Sequence, residues 1–305
     1  METKTVILPE GDDPRIIEAA HRLQQNKIVT PILLTQERTE NTLECIDPQQ
    51  SDWLPEFAKV YTNGPRKVSQ KIAARLVKKP LYFGGMMVAT GKADMLVAGV
   101  ANPTRRVMEA GQMTIGLAGG INTPSSFFLM DFPNYQNQGP RQFIFADCAL
   151  NVEPNARELA DIAIASAQSA TRLLSEPVKI AMLSFSTHGS AQHAKVELVR
   201  DALALVQGEA PELAIDGELQ VDAALSQGVA EKKITTESSV AGKANVLVFP
   251  DLNAANIGYK IAQYFSDGQA LGPILQGFSK PIADLSRGAT VDDIVETVRI
   301  LRHMA

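Results

Sequence analysis

Short apolar runs alternate along this chain with segments in which apolar residues recur every three or four positions. Residues 5–8 form an apolar run that ends at Pro9, and residues 31–34 form a second one. Between them, Pro14 stands where the first turn of a helix tolerates proline, and helical spacing follows it. A strand, a helix and a second strand in this order predict a parallel α/β architecture.

The same patterns predict the remaining elements. Further strands are predicted within residues 91–99 and at residues 115–117, 125–130, 141–145, 178–184, 213–219 and 246–249. Further helices are predicted at residues 67–77, 80–89, 154–174, about 196–206, 257–265 and about 292–304. Residues 36–58 are predicted to be irregular, and residues 226–241 to be a helix end and a loop. Residues 131–140 are rich in Pro, Asn, Gln and Gly, so they predict a turn, either a hairpin or a crossing between domains.

The stretch from Gly242 to Asp293 holds the strongest chemical signals. A buried strand is followed there by a Gly/Asn turn and by a helix with Ile257, Ile261 and Phe265 on one face, and the amide groups at such a helix start suit an anion. The run 284–288 (DLSRG) offers a hydroxyl, a permanent cation and a flexible glycine, a combination that fits phosphate or carboxylate binding. A carboxylate one helical turn further on could serve as a base.

Three turns rich in Ser, Thr, Asn and Gly also follow predicted strands. They lie at residues 123–126, 184–190 and 253–258. Parallel α/β sheets bind ligands at the carboxyl ends of their strands. Each turn alone is more typical of an ordinary loop than of a ligand site, but together with the Ser286-Arg287 run the three turns favour a phosphate-bearing ligand.

Composition and charge narrow the class of protein. The 305 residues suffice for two ordinary domains or one large one, and the net charge of −5 without a basic block argues against a nucleic-acid surface. Two cysteines exclude a disulfide framework and fit a reducing compartment. The first residues predict a strand rather than a signal sequence, and no apolar run approaches the roughly 20 residues that cross a bilayer. The sequence therefore favours a cytoplasmic protein.

Several familiar motifs are absent from the sequence or weak in it. The chain contains no GxGxxG, GxxxxGK[ST] or GxSxG pattern, which argues against a dinucleotide fingerprint, a P-loop and a nucleophile elbow. His188 and His193 lie five residues apart with no acidic residue between them, so a zinc site is not predicted. Cys148 ends a predicted strand and lacks a nearby base, which favours a buried structural thiol over a nucleophile.

Six motifs in order resemble the phosphate acetyltransferase/butyryltransferase family, most closely its short stand-alone phosphotransacetylases, including the ethanolamine-utilisation type. The motifs are residues 185–190 (FSTHGS), 242–245 (GKAN), 249–254 (FPDLNA), 256–260 (NIGYK), 272–277 (GPILQG) and 284–288 (DLSRG), with support from 145–149 and 216–220. The resemblance covers nearly the whole chain.

The resemblance implies two α/β domains of the isocitrate/isopropylmalate dehydrogenase type with a cleft between them. The first domain would contain residues 1–138 and 284–305, and the second would contain residues 139–283. The resemblance also implies a homodimer that interconverts acetyl-CoA plus phosphate with acetyl phosphate plus CoA. Coenzyme A is then a substrate, and neither a metal nor a cofactor takes part. Acyl-chain length is left open.

The resemblance also assigns roles to individual residues. Asp293 would take the proton from the CoA thiol, Ser286 would hydrogen-bond the acyl carbonyl or phosphate, and Arg287 would bind phosphate or CoA. Residues implied in substrate binding are Thr104, Ser125, Ser126, Ser186, Gly189, Ser190, Asn256, Gly258, Tyr259, Lys260 and Gln276. The alternative is purely structural: Asp292 and Asp293 would only complement the dipole at a helix start.

One departure from the family pattern concerns a substrate-binding cation. The family usually places an arginine five residues after the position of Thr104, and this chain has Glu109 there. A carboxylate repels phosphate, and Arg105 or Arg106 would have to compensate from about one helical turn away. Glu109 therefore keeps open a second hypothesis, a divergent member that binds CoA or acyl-CoA as a non-catalytic sensor or assembly module. A dehydrogenase of the related fold is disfavoured, because no paired-aspartate metal site or nucleotide fingerprint is present.

Overall fold

A computed structural model describes residues 3–36, 42–64 and 67–305. In chain order the strands are β1 (Thr5–Leu8), β2 (Thr30–Leu34), β3 (Glu44–Ile46), β4 (Met95–Ala98), β5 (Ser125–Phe132), β6 (Arg141–Ala146), β7 (Ile180–Leu183), β8 (Ile215–Leu219), β9 (Val246–Val248), β10 (Gln269–Gln276) and β11 (Ile282–Asp284). The helices are α1 (Pro14–Gln25), α2 (Leu54–Thr62), α3 (Gln70–Leu76), α4 (Pro80–Ala89), α5 (Thr104–Thr114), α6 (Ala156–Leu173), α7 (Ala194–Glu209), α8 (Val221–Leu225), α9 (Gln227–Lys233), α10 (Leu252–Tyr264) and α11 (Val291–Met304).

The chain forms two compact units. Unit 1 contains Met1–Gly119 and Phe278–Ala305, and unit 2 contains Gly120–Gly277. These boundaries differ from the predicted domain boundaries, because β5 pairs with β6 and β10 and so belongs with unit 2. The α/β class predicted from the sequence is confirmed, since each unit alternates strands with helices.

Unit 1 is built on a parallel sheet with the strand order β3-β2-β1-β4-β11. Every residue of β4 and β11 is buried, as expected for parallel strands that are covered on both faces. The helices that pack on the sheet form two contacting pairs, α1 with α11 and α4 with α5. The last helix of the chain thus belongs to the same unit as the first.

Unit 2 has the strand order β10-β5-β6-β9-β7-β8. Its pairs β10–β5 and β5–β6 are antiparallel, and the remaining pairs are parallel. The register of Phe132 opposite Arg141 closes β5 and β6 into a hairpin, so of the two alternatives for residues 131–140 the hairpin is confirmed. The long helix α6 begins with a capping box, in which Asn155 and Glu158 bond each other's backbone N–H groups.

Three predictions from the hydrophobic pattern need correction. Residues 115–117 do not form a strand, because Ile115 caps α5 and Gly116, with a φ of 75°, turns the chain. The region 36–58 is not irregular throughout, since β3 and the start of α2 lie in it, while residues 37–41 are outside the described residues. The third correction concerns α10.

Helix α10 starts earlier than predicted, and its apolar face is not buried. Asp251 caps the helix by accepting a hydrogen bond from the backbone N–H of Ala254. Of the residues that the pattern places on one face, Ile257 and Ile261 are more than half exposed and Phe265 is 87% exposed. Helical periodicity locates an apolar stripe, but it does not say what covers the stripe. Among the helices of the described chain, none is both long enough and apolar enough to cross a bilayer.

Gly99 is the residue that the tight approach of β4 and β11 requires. Its φ is 124°, and a Cβ atom added there would lie 2.3 Å from the Leu285 carbonyl oxygen and 2.7 Å from Oδ1 of Asp284. Both neighbours are buried parts of the adjacent strand end, so neither can move away easily.

We expect Gly99→Ala to lower the free energy of unfolding by about 2 kcal/mol more than the control Gly91→Ala, because steric overlap adds to backbone strain. Gly91 also has a positive φ, of 75°, but an added Cβ would meet nothing within 4 Å. Urea unfolding of the two variants and the wild type measures the difference. Equal losses of stability in both variants would contradict this account of Gly99.

Candidate active site

Three neighbouring parallel strands of unit 1 end at the same edge of its sheet. Strands β1, β4 and β11 lie side by side in the order β1-β4-β11. The chain then continues into Glu10, Gly99 and Leu285 respectively. Loops that follow parallel strands meet at this edge, which is where α/β proteins place ligands.

The carboxylate of Glu10 organises the loop after β4. Its Oε2 accepts hydrogen bonds from the backbone N–H groups of Gly99 (2.8 Å) and Val100 (3.0 Å), and its Oε1 accepts from the N–H of Ala101 (2.9 Å) and Nδ2 of Asn102 (2.8 Å). Glu10 is only 9% exposed, so these four donors replace the water that a carboxylate needs. The anion in this nest of amides is therefore part of the protein.

Arg15 ties the predicted catalytic loop to the rest of unit 1. Its guanidinium donates to the carbonyl oxygens of Arg287 (2.8 Å), Ala289 (3.0 Å) and Val100 (3.3 Å). Two further hydrogen bonds join it to the carboxylate of Asp13, the N-cap residue of α1. The loop after β11 is thus fixed through its main chain, which leaves the side chains of that loop available.

The three residues predicted to be catalytic lie close together in this loop and the helix after it. Ser286, Arg287 and Asp293 are all exposed. The hydroxyl oxygen of Ser286 accepts from the N–H of Gly288 at 3.2 Å, so its own proton remains available to a ligand. Within the described residues the Arg287 side chain forms no ion pair.

Asp293 also has the structural role that was considered as the alternative. Its Oδ2 accepts from the N–H and the hydroxyl of Thr290, each at 2.8 Å, and Thr290 in return accepts from the Asp293 N–H. This capping box starts α11. Only one carboxylate oxygen is used in it, and Oδ1 accepts no hydrogen bond from the described residues. A cap and a base are therefore compatible in this side chain.

Thr104, predicted to bind substrate, is joined to a buried carboxyl group. It is exposed at the start of α5, and its Oγ1 donates to Oδ2 of Asp284 at 2.5 Å. Asp284 ends β11 and is 4% exposed. Burial raises the pKa of Asp284 to about 6; the Thr104 hydrogen bond opposes this shift and the charge of Glu10 adds to it.

The charges on α5 clarify the departure at Glu109. Glu109, Arg105 and Arg106 are all exposed, and in the described chain none of them takes part in an ion pair. Glu109 is four residues after Arg105 and three after Arg106, so the two guanidinium groups flank it on the helix surface. This face of α5 keeps a net positive charge despite the carboxylate.

In unit 2 the predicted binding turn at residues 184–190 wraps around a buried glutamate. Oε1 of Glu218 accepts from the hydroxyl of Ser186 (2.7 Å) and the N–H of Gly189 (2.8 Å), and Oε2 accepts from Nε of Arg200 (2.8 Å). The Ser190 hydroxyl oxygen accepts from the backbone N–H of Thr187 at 3.0 Å. Ser186 is fully buried, whereas Gly189 and Ser190 are exposed.

A second turn of unit 2 wraps around Asp147. Oδ1 of Asp147 accepts from the hydroxyl and the N–H of Ser126 and from the N–H of Ala149, and its Oδ2 accepts from the N–H of Asn151 at 2.9 Å. Asn256, another predicted binding residue, donates from Nδ2 to the carbonyl of the adjacent Cys148 at 3.2 Å. The structure therefore brings Ser126 and Asn256 to one turn.

Ser125 and Gln276 form a third cluster, which lies inside unit 2. Nε2 of Gln276 donates to the hydroxyls of Ser125 (3.0 Å) and Ser166 (2.9 Å), and its Oε1 accepts from the hydroxyl of Ser169 (2.9 Å). All four side chains are buried. Their polar atoms satisfy one another, so a role in substrate binding would require this network to open.

The remaining predicted binding residues lie on α10. Tyr259 is half-buried and stacks on Phe128 with ring centroids 4.3 Å apart, and burial raises the pKa of its phenol. Gly258 lies against Phe249, because an added Cβ would be 3.0 Å from that ring. Lys260 is exposed, with Nζ 5.7 Å from the Tyr259 ring centroid, and is the cation of this group that can reach an anionic ligand.

Cys148, His188 and His193 have structural partners. Cys148 is fully buried and donates to the Phe145 carbonyl at 3.3 Å, and burial raises the pKa of its thiol well above the usual value. Nε2 of His188 lies 3.0 Å from the Asp216 carboxylate, and Nδ1 of His193 accepts from the N–H of Lys195 at the start of α7. A reactive thiolate at Cys148 is thus disfavoured by its surroundings.

Sequence reasoning gave no role to the buried carboxylates that hold these loops. Their positions in the sequence could have revealed them, because each is an acidic residue at or near the carboxyl end of a strand. The residues concerned are Glu10, Asp147, Glu218 and Asp284.

Comparison with known proteins gives a consistent result. Residues 1–301 match the family described as phosphate acetyl/butaryl transferase. The chain is 42% identical over 306 residues to a phosphate acetyltransferase from Thermoanaerobacterium thermosaccharolyticum, covering 97% of this chain and 93% of that protein. It is 39% identical over 312 residues to a phosphate acetyltransferase from Bacillus subtilis, covering 98% and 94%.

Solved structures agree with this result. The EutD phosphotransacetylase from Staphylococcus aureus superimposes with a TM-score of 0.89 at 39% identity and covers 99% of this chain and 94% of its own. The 4-hydroxythreonine-4-phosphate dehydrogenase from Klebsiella pneumoniae, at 11% identity, has a TM-score of 0.56 and covers 99% of each chain. This second likeness shows a shared fold with a dehydrogenase and nothing more.

The surroundings of Glu218 predict a pH-dependent stability. Burial alone would raise the pKa of Glu218, but the hydrogen bonds from Gly189, Ser186 and Arg200 together lower it below 4.5. Its carboxylate therefore stabilises the folded state at pH values above 4.5, and this contribution is lost as the pH falls through the folded-state pKa.

We expect Glu218→Gln to lower the urea midpoint at pH 7, and we expect the midpoints of the variant and the wild type to lie closer together at pH 3.5. A control is Glu212→Gln, which changes an exposed carboxylate. A difference that stays constant with pH would contradict the prediction.

Proposed function

The chain belongs to the phosphate acetyl/butaryl transferase family, and we propose that it catalyses the reversible reaction of acetyl-CoA with phosphate to give acetyl phosphate and CoA. One observation carries the proposal. Ser286, Arg287 and Asp293 are exposed within eight residues of each other, in a loop and helix start that Arg15 and Thr290 fix through the main chain and the cap.

Asp293 is proposed as the base for the CoA thiol. A free thiol is mostly protonated at neutral pH, and only the thiolate attacks the carbonyl carbon of acetyl phosphate. Oδ2 of Asp293 is held by the Thr290 cap, which fixes the orientation of the carboxylate while Oδ1 is left to accept a proton. In the direction of acetyl phosphate synthesis the same group returns the proton to the leaving thiolate.

Ser286 and Arg287 are proposed to stabilise charge on the reacting group. The Ser286 hydroxyl retains a proton to donate to the acyl oxygen as negative charge develops there. Arg287 offers a planar set of donors that can bind phosphate through two oxygens at once. Acetyl transfer through a thiolate requires no metal or prosthetic group, so coenzyme A is a substrate and we assign no cofactor.

Glu109 is compatible with this proposal because of its neighbours. Arg105 and Arg106 flank it on α5 and leave that helix face positive. Together with the amide groups at the start of α5, next to Thr104, they present a net positive charge to a bound anion. We therefore favour the enzyme over the alternative of a non-catalytic sensor or assembly module.

The exposed residues of unit 2 are proposed to contact CoA. Among the predicted binding residues there, Gly189, Ser190 and Lys260 are accessible, whereas Ser125, Ser126, Ser186 and Gln276 are buried. The three residues that are partly exposed are Asn256, Gly258 and Tyr259. A cytoplasmic location is also proposed, since acetyl-CoA and phosphate are metabolites of that compartment.

A homodimer is proposed on the basis of an apolar surface of unit 2. Tyr264 and Phe265 are each 87% exposed, and Ile257 and Ile261 are more than half exposed on the same helix. Beside α10 lies a groove of about 560 Å³ whose apolar lining includes Phe132, Phe143, Phe145 and Phe249. One surface thus offers both protruding apolar side chains and an apolar groove, as a two-fold symmetric interface requires.

The catalytic proposal predicts that Asp293→Asn lowers kcat by about 10²- to 10⁴-fold, because a positioned base is lost. Asparagine can still accept the hydrogen bond from the Thr290 N–H through its side-chain oxygen, so the capping box and the stability should be preserved. The measurement is an assay of acetyl phosphate plus CoA that follows consumption of the thiol. Propionyl and butyryl phosphate in the same assay report the acyl-chain preference.

The matched control is Asp292→Asn, which removes a neighbouring exposed carboxylate that pairs with Arg22 and should change turnover little. Glu109→Arg is run in parallel and should also change activity little if Arg105 and Arg106 already supply the positive charge. A wild type that consumes no thiol with any acyl phosphate would refute the proposed function. If the wild type is inactive and the Glu109→Arg variant is active, the result would instead indicate that the phosphate site of this chain is disabled.

The dimer proposal predicts that Phe265→Asp with Ile261→Asp converts the protein to a monomer, because two charges would have to be buried in an apolar interface. Light scattering after size-exclusion chromatography gives the mass of each form. A control with Val60→Asp places a charge on an exposed apolar residue of unit 1. A wild type that is already monomeric at micromolar concentration would contradict the proposal.

A further inference from the structure

Asp284 differs from the other buried carboxylates of the chain in its hydrogen bonding. Glu10, Asp147 and Glu218 each accept three or more hydrogen bonds. Asp284 accepts one, from Thr104 to Oδ2, and its buried Oδ1 has no partner among the described residues. A buried and unsatisfied carboxylate oxygen is costly when ionised, so this site favours the neutral acid.

The surroundings of Asp284 explain why Oδ1 stays unsatisfied. It faces the backbone of Gly99, since an ideal Cβ there would lie 2.7 Å from it. The N–H groups of Gly99, Val100 and Ala101, which could have served it, all point to Glu10 instead. The single polar connection of Asp284 is therefore with Thr104, which is exposed and stands at the start of α5.

Most of the elements that surround Asp284 carry charged groups. The elements that pack on β11 are β4, which carries no titratable residue, α5 and α11. The groups on α5 and α11, on the loops that follow β1 and β11 and at the start of α1 are Glu10, Asp12, Asp13, Arg15, Arg105, Arg106, Glu109, Arg287, Asp292, Asp293, Glu296, Arg299, Arg302 and His303. Of these, Glu10 raises the pKa of Asp284 by its charge, in addition to the larger effect of burial, while Arg15 is bound to Asp13 and to main-chain oxygens.

We propose that Asp284 is a positioning residue that sets the hydrogen-bond polarity of the Thr104 hydroxyl toward the phosphate substrate. When Asp284 is ionised, the Thr104 proton is donated inward to Oδ2, and only oxygen lone pairs are left for the substrate. When Asp284 takes a proton from solvent, its own O–H donates to Thr104 Oγ1, and the Thr104 proton turns outward. A phosphate oxygen accepts from the second arrangement and is repelled by the first.

This inference rests on the proposed function and gives phosphate binding a pH dependence. The pKa of Asp284 is about 6, so the protonated fraction falls from about one half at pH 6 to about one hundredth at pH 8. If the protonated form is the one that binds, the apparent affinity falls with that fraction. By the same linkage, bound phosphate favours uptake of one proton by Asp284.

Asp284→Asn tests the inference because its amide donates to Thr104 at every pH and mimics the protonated acid. The KM for phosphate is measured with saturating acetyl-CoA at pH 6, 7 and 8 for the wild type and the variant. Their ratio at each pH cancels the titration of phosphate itself. We expect the ratio of wild-type KM to variant KM to rise at least about tenfold from pH 6 to pH 8, while kcat at saturating phosphate changes less.

Thr104 variants provide the matched comparison. Thr104→Ser keeps a hydroxyl and should keep the pH dependence of the wild type, whereas Thr104→Val removes the hydroxyl and should lose it. In the Thr104→Val background, Asp284→Asn should have no further effect on the KM for phosphate. The pair Thr104→Ser and Thr104→Val also tests the inference by itself if Asp284→Asn does not fold.

Calorimetric titration with sulfate provides a reading that does not require turnover, since sulfate does not titrate in this pH range. Wild-type sulfate binding should weaken at least about tenfold from pH 6 to pH 8, and binding to Asp284→Asn should stay constant. If the protein is active but the ratio of wild-type KM to variant KM does not change with pH, this inference is overturned and the proposed function is not. Absence of turnover together with pH-dependent sulfate binding overturns the proposed function and supports the inference. If the protein shows no turnover and also binds no sulfate, both the proposed function and this inference are overturned.

Discussion

Buried carboxylates that collect loop amide groups are the interaction on which this structure depends. Loops that leave the carboxyl ends of parallel strands contain N–H groups that have no partner in the sheet, and a buried N–H without a partner is costly. Glu10 supplies the acceptor for three of them in unit 1. Asp147 and Glu218 do the same for turns of unit 2. Because both partners are removed from water, each such bond is both strong and highly sensitive to the loss of either group.

This solution limits where a phosphate substrate can bind. The amide nest at Gly99–Ala101 resembles an anion site, but its anion is Glu10. The turn at residues 186–189 is likewise filled by Glu218. A substrate must therefore use groups that the internal carboxylates leave over. In unit 1 these are the exposed side chains of Ser286 and Arg287 and the hydroxyl of Thr104, which agrees with the roles that we propose for them.

Much of the fold could be predicted from the sequence, because strand and helix periodicity is a local property. The predicted bounds of α4 match the structure to the residue, and the composition of residues 131–140 predicts a turn for which the hairpin is one of two alternatives. The pattern places Ile257, Ile261 and Phe265 on one face of α10 but does not indicate that this face is exposed, because an apolar stripe has the same spacing whether it meets the core or a surface. The apolar residues 115–117 predict a strand, whereas Ile115 is buried at the end of a helix.

The exposed residues of the candidate site could be predicted from the sequence, but the residues that hold them in place could not. Ser286, Arg287 and Asp293 lie in one short run whose residue types indicate their chemistry. Arg15 acts on Arg287 across 272 positions of the chain, and Thr104 acts on Asp284 across 180, so no local pattern reveals either contact.

Asp284 is the informative exception among the buried carboxylates. Folding alone would favour satisfying its Oδ1, yet the nearby amide groups serve Glu10 and leave this oxygen without a partner. Departures from full satisfaction tend to occur at functional sites, where a group held near its titration point can change state. A carboxyl group whose pKa of about 6 lies near neutral pH, and which connects to the surface through one hydroxyl, fits that description. The stability lost at Asp284 is thus best understood through what it does for Thr104.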